Sequence, residues 1–319
     1  MCRSFLNTWV NPETNEAQWY GRFNAGVATL NLPDIVLAAK GDKTEFYNIL
    51  DKRLEVVDEW IAWRKEYMKD TSSSVSPLHY NFGAISKLPK GSNTNSLWTK
   101  RTSISLGYCG LYEVCQGILG KSNSTDEGKA LSLEILQYLK DWTEQKKEEH
   151  DLGVGLYGTP GESNLGALLE KSKSRYGIVK GITDKPYFTN SFHITPSEDI
   201  DAFTKLEYEA PFHAISSGGC ISYVESASLN GKEDMMLQLI EKIYETVRYA
   251  EVNLKIDYCY DCGSHDKIFV NDEMEFECSV CGNEDFEKMS VLRRTCGYLS
   301  STKMRGSRMA DIKDRVEHM

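Results

Sequence analysis

The sequence predicts an α/β fold built on a mainly parallel sheet. Three observations carry this expectation. Extended apolar runs alternate with amphipathic helical stretches along most of the chain. No apolar run is long enough to cross a bilayer. Two closely spaced cysteine pairs near the end mark off a small separate unit. With 319 residues, 40% hydrophobic and 26% charged, the chain has enough apolar material for one large domain or two ordinary ones.

The elements follow in order. Residues 18–38 read as a turn and then a buried strand; Pro33 stops the strand, and Asp34 is placed to cap a helix. Over residues 44–69, Phe46, Ile49, Leu50, Leu54, Val57, Trp60 and Ile61 recur at helical spacing. Residues 71–77 are a Ser-rich break. Residues 103–119 begin as a strand and pass into a helix. Ser124 or Asp126 suits the cap of the next helix, whose apolar side holds Ala130, Leu131, Leu133, Ile135, Leu136, Leu139 and Trp142. Residues 152–158 are glycine-rich and extended, and 160–170 read as a loop entering a helix. Residues 188–194 and 219–225 are strand-like, and 232–255 predict one long amphipathic helix. No internal repeat is evident. A boundary near residue 257 gives units of 1–256, 257–290 and 291–319.

Charge and cysteine usage narrow the function. A net charge of -10 opposes general nucleic-acid binding. A nucleotide substrate stays open, because helix amino termini hold phosphates even in an acidic protein. Arg293, Arg294, Lys303, Arg305 and Arg308 read as a solvated basic tail. The first ten residues lack the apolar centre of a signal peptide, so a cytoplasmic protein with no membrane partner is expected. Nine cysteines without such a signal argue against a disulfide framework.

Four of those cysteines have metal-ligand spacing. Cys259 and Cys262 form one Cys-x-x-Cys pair and Cys278 and Cys281 another, fifteen residues apart. Each tight turn offers two thiolates, and two turns complete the tetrahedral shell that zinc prefers. With no open position the ion is structural; an iron centre has the same ligand set. A nucleic-acid-binding ribbon is the rival reading. Asp261, Asp266, Asp272, Glu273, Glu275, Glu277, Glu284 and Asp285 would repel phosphate.

Beyond the pairs comes Arg294-Thr-Cys-Gly-Tyr-Leu, with Gly297 at its fourth position. Glycine lacks a Cβ, tolerates strained loops and forms the α-carbon radical best stabilised by its flanking amides. Alone the tripeptide is most often an ordinary turn. Just after two cysteine pairs, the sequence resembles the radical loop of a glycyl radical enzyme.

The whole chain resembles the anaerobic (class III) ribonucleoside-triphosphate reductases, matching their carboxyl-terminal half. Residues 1–6, Met-Cys-Arg-Ser-Phe-Leu, resemble the finger loop bearing the thiyl-radical cysteine. Residues 21–33 resemble the strand after it. Residues 103–111, 159–163 (Thr-Pro-Gly-Glu-Ser), 187–193 (Tyr-Phe-Thr-Asn-Ser-Phe-His) and 209–213 also match. So do residues 218–225, where the family more often has His in place of Cys220.

The resemblance implies half of a ten-stranded α/β barrel, with a carboxyl-terminal zinc ribbon and glycyl radical loop. It implies Gly297 as the stable radical, Cys2 as the thiyl and Asn24 beside the ribose hydroxyls. Thr159, Gly161, Glu162 and Ser163 form the substrate loop, at a helix start that suits phosphate. The implied reaction reduces ribonucleoside triphosphates for DNA synthesis, with formate as reductant in many members. A separate radical-SAM activase installs the radical; no Cys-x3-Cys-x2-Cys occurs here.

Family members are longer, and the match begins at the finger loop. The expectation is therefore a split subunit or a fragment that works with the missing amino-terminal half, in a homo-oligomer of the complete enzyme. Plainer readings stand beside these. Cys2 is ordinarily an inert thiol, Asn24 a turn residue and residues 159–163 a helix cap, while His193 and His213 read as structural. The rival functions are a pyruvate formate-lyase type enzyme, which lacks the cysteine pairs, and a non-catalytic zinc-ribbon module.

Overall fold

The computed structural model describes residues 4–161, 163–229, 231–294, 299–301, 304 and 306–319. A short antiparallel hairpin, β1 (Trp9–Asn11) and β2 (Glu16–Gln18), opens the chain. Then come β3 (Phe23–Asn31), α1 (Leu32–Ala38), α2 (Lys43–Lys69), α3 (Pro77–Tyr80), β4 (Thr102–Cys109), α4 (Leu111–Leu119), α5 (Asp126–His150) and β5 (Gly153–Gly158). After these follow α6 (Ser163–Tyr176), α7 (Ala202–Ile215), β6 (Ser222–Ser226), α8 (Glu233–Thr246) and β7 (Ala250–Leu254). β3, β4 and β5 pair in parallel, as do β6 and β7. A parallel bridge between Tyr157 and Gly219 links the two sheets. The strands thus follow chain order with helices in every connection, the parallel α/β arrangement that the alternation predicts.

β4 and β5 are buried at every position. Both faces are therefore covered: Ile104, Leu106 and Tyr108 of β4 enter the apolar core on one side, while Ser103, Ser105 and Gly107 alternate with them on the other. α2 forms because Phe46, Leu50, Leu54, Val57 and Ile61 make one buried stripe, and the Asp42 side chain accepts from Glu45 N at its start. α5 buries Leu131, Ile135, Leu136 and Leu139, carries Asp126 and Glu127 in its first turn, and has Lys147 and His150 in its last. Both charge placements favour the helix dipole.

Several local expectations are corrected. Asp34 lies inside the first turn of α1, where Asn31 occupies the cap position and Pro33 the start. Thr125, not Ser124 or Asp126, caps α5, accepting from Gly128 N. Residues 188–194 are not a strand. Their backbone is held by side chains: Thr189 N donates to Glu113 Oε1, and Asn123 Nδ2 donates to the carbonyls of Phe192 and His193. The helix expected over 232–255 stops at Thr246, and β7 follows, because Val247 starts an extended segment that lines up with β6. α7 gave no clear sequence signal; Pro211 interrupts its pattern.

The remaining elements are short. β8 (Tyr258–Cys259) pairs with β11 (Met289–Ser290), β9 (Ile268–Val270) with β10 (Phe276–Cys278), and β12 (Arg293–Arg294) with β13 (Leu299–Ser300). α9 (Ser307–Asp314) follows. Ile268, Val270, Phe276, Met289, Val291 and Met309 form a small core of their own, apart from the main one. No described helix is long and apolar enough to cross a membrane.

Candidate active site and metal centre

One face of the β3–β4–β5 sheet carries small and polar side chains. Ser103, Ser105 and Gly107 alternate along β4, so they share a face, and Gly153, Gly155 and Tyr157 lie beside them in register. The amino-terminal segment, from residue 4 onward, crosses this face. Phe5 N donates to Gly218 O (2.9 Å), Asn7 N to Ser103 Oγ (2.8 Å), and Arg22 Nη1 to Asn7 O (2.9 Å). Glycine makes the crossing possible. A Cβ on Gly153 would stand 2.6 Å from Asn7 Cβ, and one on Gly155 would stand 3.1 Å from Gly218 Cα.

Asn24 sits at the start of β3, where a register shift between Asn24 and Gly26 marks a bulge. Its Nδ2 donates to Ser4 Oγ (2.8 Å) and to Ser105 Oγ (3.3 Å), while its Oδ1 accepts from Gly26 N. Asn24 therefore joins the amino-terminal segment to the middle of β4, and Ser4 is two residues along the chain from Cys2. Ser4, Asn7, Ser103 and Ser105 were not singled out by sequence reasoning. The two-residue spacing of Ser103, Ser105 and Gly107 inside a strand was the available signal.

Thr29 lies on the same face, five residues further along β3, or about 15 Å at the usual rise per residue. Its hydroxyl meets that of Thr159 at 3.0 Å in a solvent-exposed contact. Gly107 leaves room for both, since a Cβ there would run into the two threonine hydroxyls. Residues 159–161 follow the carboxyl end of β5 and lead into α6, where parallel α/β sheets commonly bind ligands. Gly161 N donates to Asn190 Oδ1 (2.8 Å), so this amide is already engaged. Ser163 begins α6. Cys2, Glu162 and Gly297 lie outside the described residues.

The cysteines at 259, 262, 278 and 281 converge, their sulfurs all within 4.8 Å of one another. Cys259 and Cys281 are 3.7 Å apart, as are Cys262 and Cys278. A tetrahedral four-sulfur shell with metal–sulfur bonds of about 2.3 Å has edges of about 3.8 Å, so the donor set fits a metal ion. The Ser264 hydroxyl and nearby backbone amides hold the Cys278 thiol down to about 6. Cys109 and Cys115, by contrast, are pushed up by burial to about 12 and about 11 and are unsuited to redox work. Cys220 is fully buried, its Cβ set against Gly158.

Ion pairs tie the metal unit to the sheets. Arg293 donates through Nη2 to Asp257 Oδ2 (2.5 Å) and to Ile268 O (3.0 Å). Arg294 pairs with Glu251 of β7. Arg315 Nη1 donates to Arg294 O at 2.9 Å and lies 3.4 Å from Glu225 of β6. The expectation of a solvated basic tail is thereby corrected for Arg293 and Arg308, both only 8% exposed, and for Arg294: carboxylates are placed to receive two of them. Lys303 and Arg305 lie outside the described residues. His193 Nε2 faces Ile221 O and His213 Nε2 faces Ser222 Oγ, both at 2.8 Å in buried settings, in keeping with structural histidines.

Comparison with known proteins places the chain in a family. The family model described as anaerobic ribonucleoside-triphosphate reductase matches residues 1–318. Proteins of that name from Salmonella typhimurium and from Enterobacteria phage T4 are each 34% identical, over 100% and 99% of this chain. The chain covers 45% and 52% of them, about half the length of the curated relatives it matches. Among solved structures, an anaerobic ribonucleotide reductase superposes with a TM-score of 0.61 at 22% identity, covering 89% of this chain and 43% of that one. The Thermotoga maritima enzyme in complex with dATP and CTP gives 0.60 at 22%, covering 89% and 45%. At that identity the superpositions speak for the fold, and the full-length match of the family model and the sequence relatives carries the assignment: the chain belongs to the anaerobic ribonucleoside-triphosphate reductase family.

Proposed function

We propose that this chain supplies the finger, the substrate face and the radical loop of an anaerobic ribonucleoside-triphosphate reductase. The observation that carries the reading is the single sheet face crossed by the finger. It joins Ser4, Asn24 and Ser105 near the start of the parallel strands and presents Thr29 and Thr159 near their end. A ribonucleoside triphosphate laid along that face has its sugar at Asn24 and its phosphates at residues 159–163, where the start of α6 favours anions.

In this reading Gly297 holds the stable radical and Cys2 becomes the thiyl that takes the ribose 3′ hydrogen. Water then leaves C2′, and formate supplies the two electrons. Asn24 orients the sugar without titrating, because an amide has no charge to change near neutral pH. Zinc is the ion for the four cysteines, in a structural role that rigidifies the approach to the loop. The main sheet is half of a barrel, and the units 1–256, 257–290 and 291–319 correspond to barrel, ribbon and radical loop. The small core around Phe276, apart from the main one, supports the boundary near 257, although it also takes in Val291 and Met309 from beyond residue 290.

Activity requires the sequence that the relatives carry in addition, on the same or a second polypeptide, within a homo-oligomer, and a radical-SAM activase. Partial coverage of the relatives supports this. A cytoplasmic setting follows from reductive chemistry with free thiols.

Anaerobic electron paramagnetic resonance tests the reading. The complete assembly is incubated with activase, S-adenosylmethionine and reductant, with Gly297→Ala as control. The expected doublet disappears in the control, and active protein converts ribonucleoside triphosphates to deoxyribonucleotides. No signal from a zinc-loaded assembly with a proven activase would sink the proposal.

A further inference from the structure

Residues 187–193 match a family segment and form no strand. Their backbone is held in place mainly by side chains. Glu113, fully buried in the first turn of α4, accepts from Thr189 N (2.9 Å) and Thr189 Oγ1 (3.0 Å), and Lys185 Nζ completes an ion pair with it at 2.5 Å. Asn123 donates to the carbonyls of Phe192 and His193, each at 3.1 Å. His193 N closes a turn on Asn190 O (3.0 Å), and Leu111 N donates to Ser191 O (3.2 Å). A buried carboxylate and a buried amide thus fix a spur that has no ladder of its own. At its tip, Asn190 Oδ1 accepts from Gly161 N at 2.8 Å.

That contact reaches the loop between β5 and α6. The loop is otherwise pinned by Thr159 N donating to Tyr108 O (3.2 Å) and by the Thr29–Thr159 hydroxyl contact. Gly161 is itself constrained, since any Cβ there would run into Leu165. The spur therefore holds Gly161, two residues ahead of α6. It does so with a neutral acceptor beside the place where anionic phosphates collect.

We propose that Asn190 is a positioning residue for the triphosphate of the substrate, acting through Gly161, with Glu113 and Lys185 fixing Asn190 through Thr189. The inference rests on the proposed phosphate site at residues 159–163. It adds a residue that touches the loop rather than the nucleotide. The neutral amide is required: a carboxylate keeps the hydrogen bond but adds a charge next to the phosphates.

The test is equilibrium binding of ATP, GTP, CTP and UTP, and of the matching ribonucleosides, to the unactivated complete assembly. Asn190→Ala removes one acceptor and is expected to weaken triphosphate binding about tenfold. Ribonucleoside binding stays unchanged, and in the activated enzyme KM rises while kcat holds. Asn190→Asp keeps the shape and the acceptor but exchanges the Nδ2 donors for a charge, so a merely structural role predicts either full recovery or a loss that added salt does not relieve. The proposal predicts at least the same loss at low salt, partly relieved as salt screens the added charge. Recovery of wild-type binding by Asn190→Asp overturns the proposal, as does a loss there that added salt does not relieve, or an unchanged affinity in Asn190→Ala. Should Asn190→Ala fail to fold, the isosteric Asn190→Asp alone decides. Ser163→Asp, at the start of α6, separates the two levels. If it weakens triphosphate binding while both Asn190 variants do not, the phosphate site stands and the role of Asn190 falls. If none of the three changes binding, the phosphate site falls too.

Discussion

Gly153→Ala isolates the contribution of the finger. Gly153 does not have a positive φ, so its backbone accepts alanine. The obstacle is the finger: the new Cβ lies 2.6 Å from Asn7 Cβ and 3.1 Å from Lys100 O, where ordinary contact begins at 3.4 Å. Relief requires Asn7 to retreat by about 0.8 Å, which lengthens the 2.8 Å bond from Asn7 N to Ser103 Oγ beyond hydrogen-bond range. Losing that bond costs about 1 kcal/mol, and replacing glycine within a strand returns about 0.5–1 kcal/mol. Stability should therefore barely change. Catalysis should not be spared, because a misplacement of about 1 Å costs on the order of a hundredfold in rate. The assay compares turnover of the activated assembly with its melting temperature. A hundredfold slower enzyme that melts within about 4 °C of the parent is expected. In Asn7→Gly the main obstacle is gone and only the 3.1 Å approach to Lys100 O remains, so adding Gly153→Ala to it should cost much less. Full activity in Gly153→Ala refutes the reasoning, and so does a loss of activity that merely follows unfolding.

Three further outcomes are expected. Each chain should hold one equivalent of zinc at the four cysteines; chelation or Cys278→Ser should open residues 257–291 to protease while the main sheet resists, and an unchanged digestion pattern would contradict this. Burial holds the His213 imidazole down to about 4, from an ordinary value of 6.5. Glu209 opposes that shift, while His193, Lys205 and Arg248 add to it. With the folded value depressed, the unfolded chain takes the proton first. Stability from this group is complete above 6.5 and falls by about 3 kcal/mol as pH drops toward 4. His213→Gln should flatten the melting profile over that range, leaving the part due to His318, which burial also lowers to about 4; an unaltered slope would refute the assignment. Lys205 and Glu209 form a buried pair at 2.5 Å, with side chains 6% and 0% exposed. Glu209→Leu should cost about 3–5 kcal/mol in denaturant unfolding, and adding Lys205→Met should restore most of it; a single-variant cost below about 1 kcal/mol would be inconsistent with a desolvated pair.

The sequence by itself determined the parallel α/β class, the four metal-binding cysteines and the family. Each is written in short-range pattern: helical spacing in α2 and α5, two Cys-x-x-Cys turns, and contiguous matched segments. Local pattern failed where the partner of a backbone group is far away. Residues 188–194 look extended, but the donor at Thr189 finds Glu113, seventy-six positions earlier, in place of a neighbouring strand. Residues 232–255 look like one helix because α8 and β7 are both amphipathic; pairing with β6 decides where the helix ends. The basic stretch looks solvated because Asp257 and Glu251, which receive Arg293 and Arg294, lie 36 and 43 residues away. The proposed site divides in the same way. Asn24 and residues 159–163 were legible as motifs, whereas Ser4, Ser105 and Thr29 gained their places only when the amino-terminal segment and three strands converged on one face, and Asn190 only when its segment met the loop at Gly161. Chemistry of that kind depends on distances through space, and residue spacing along the chain does not encode them.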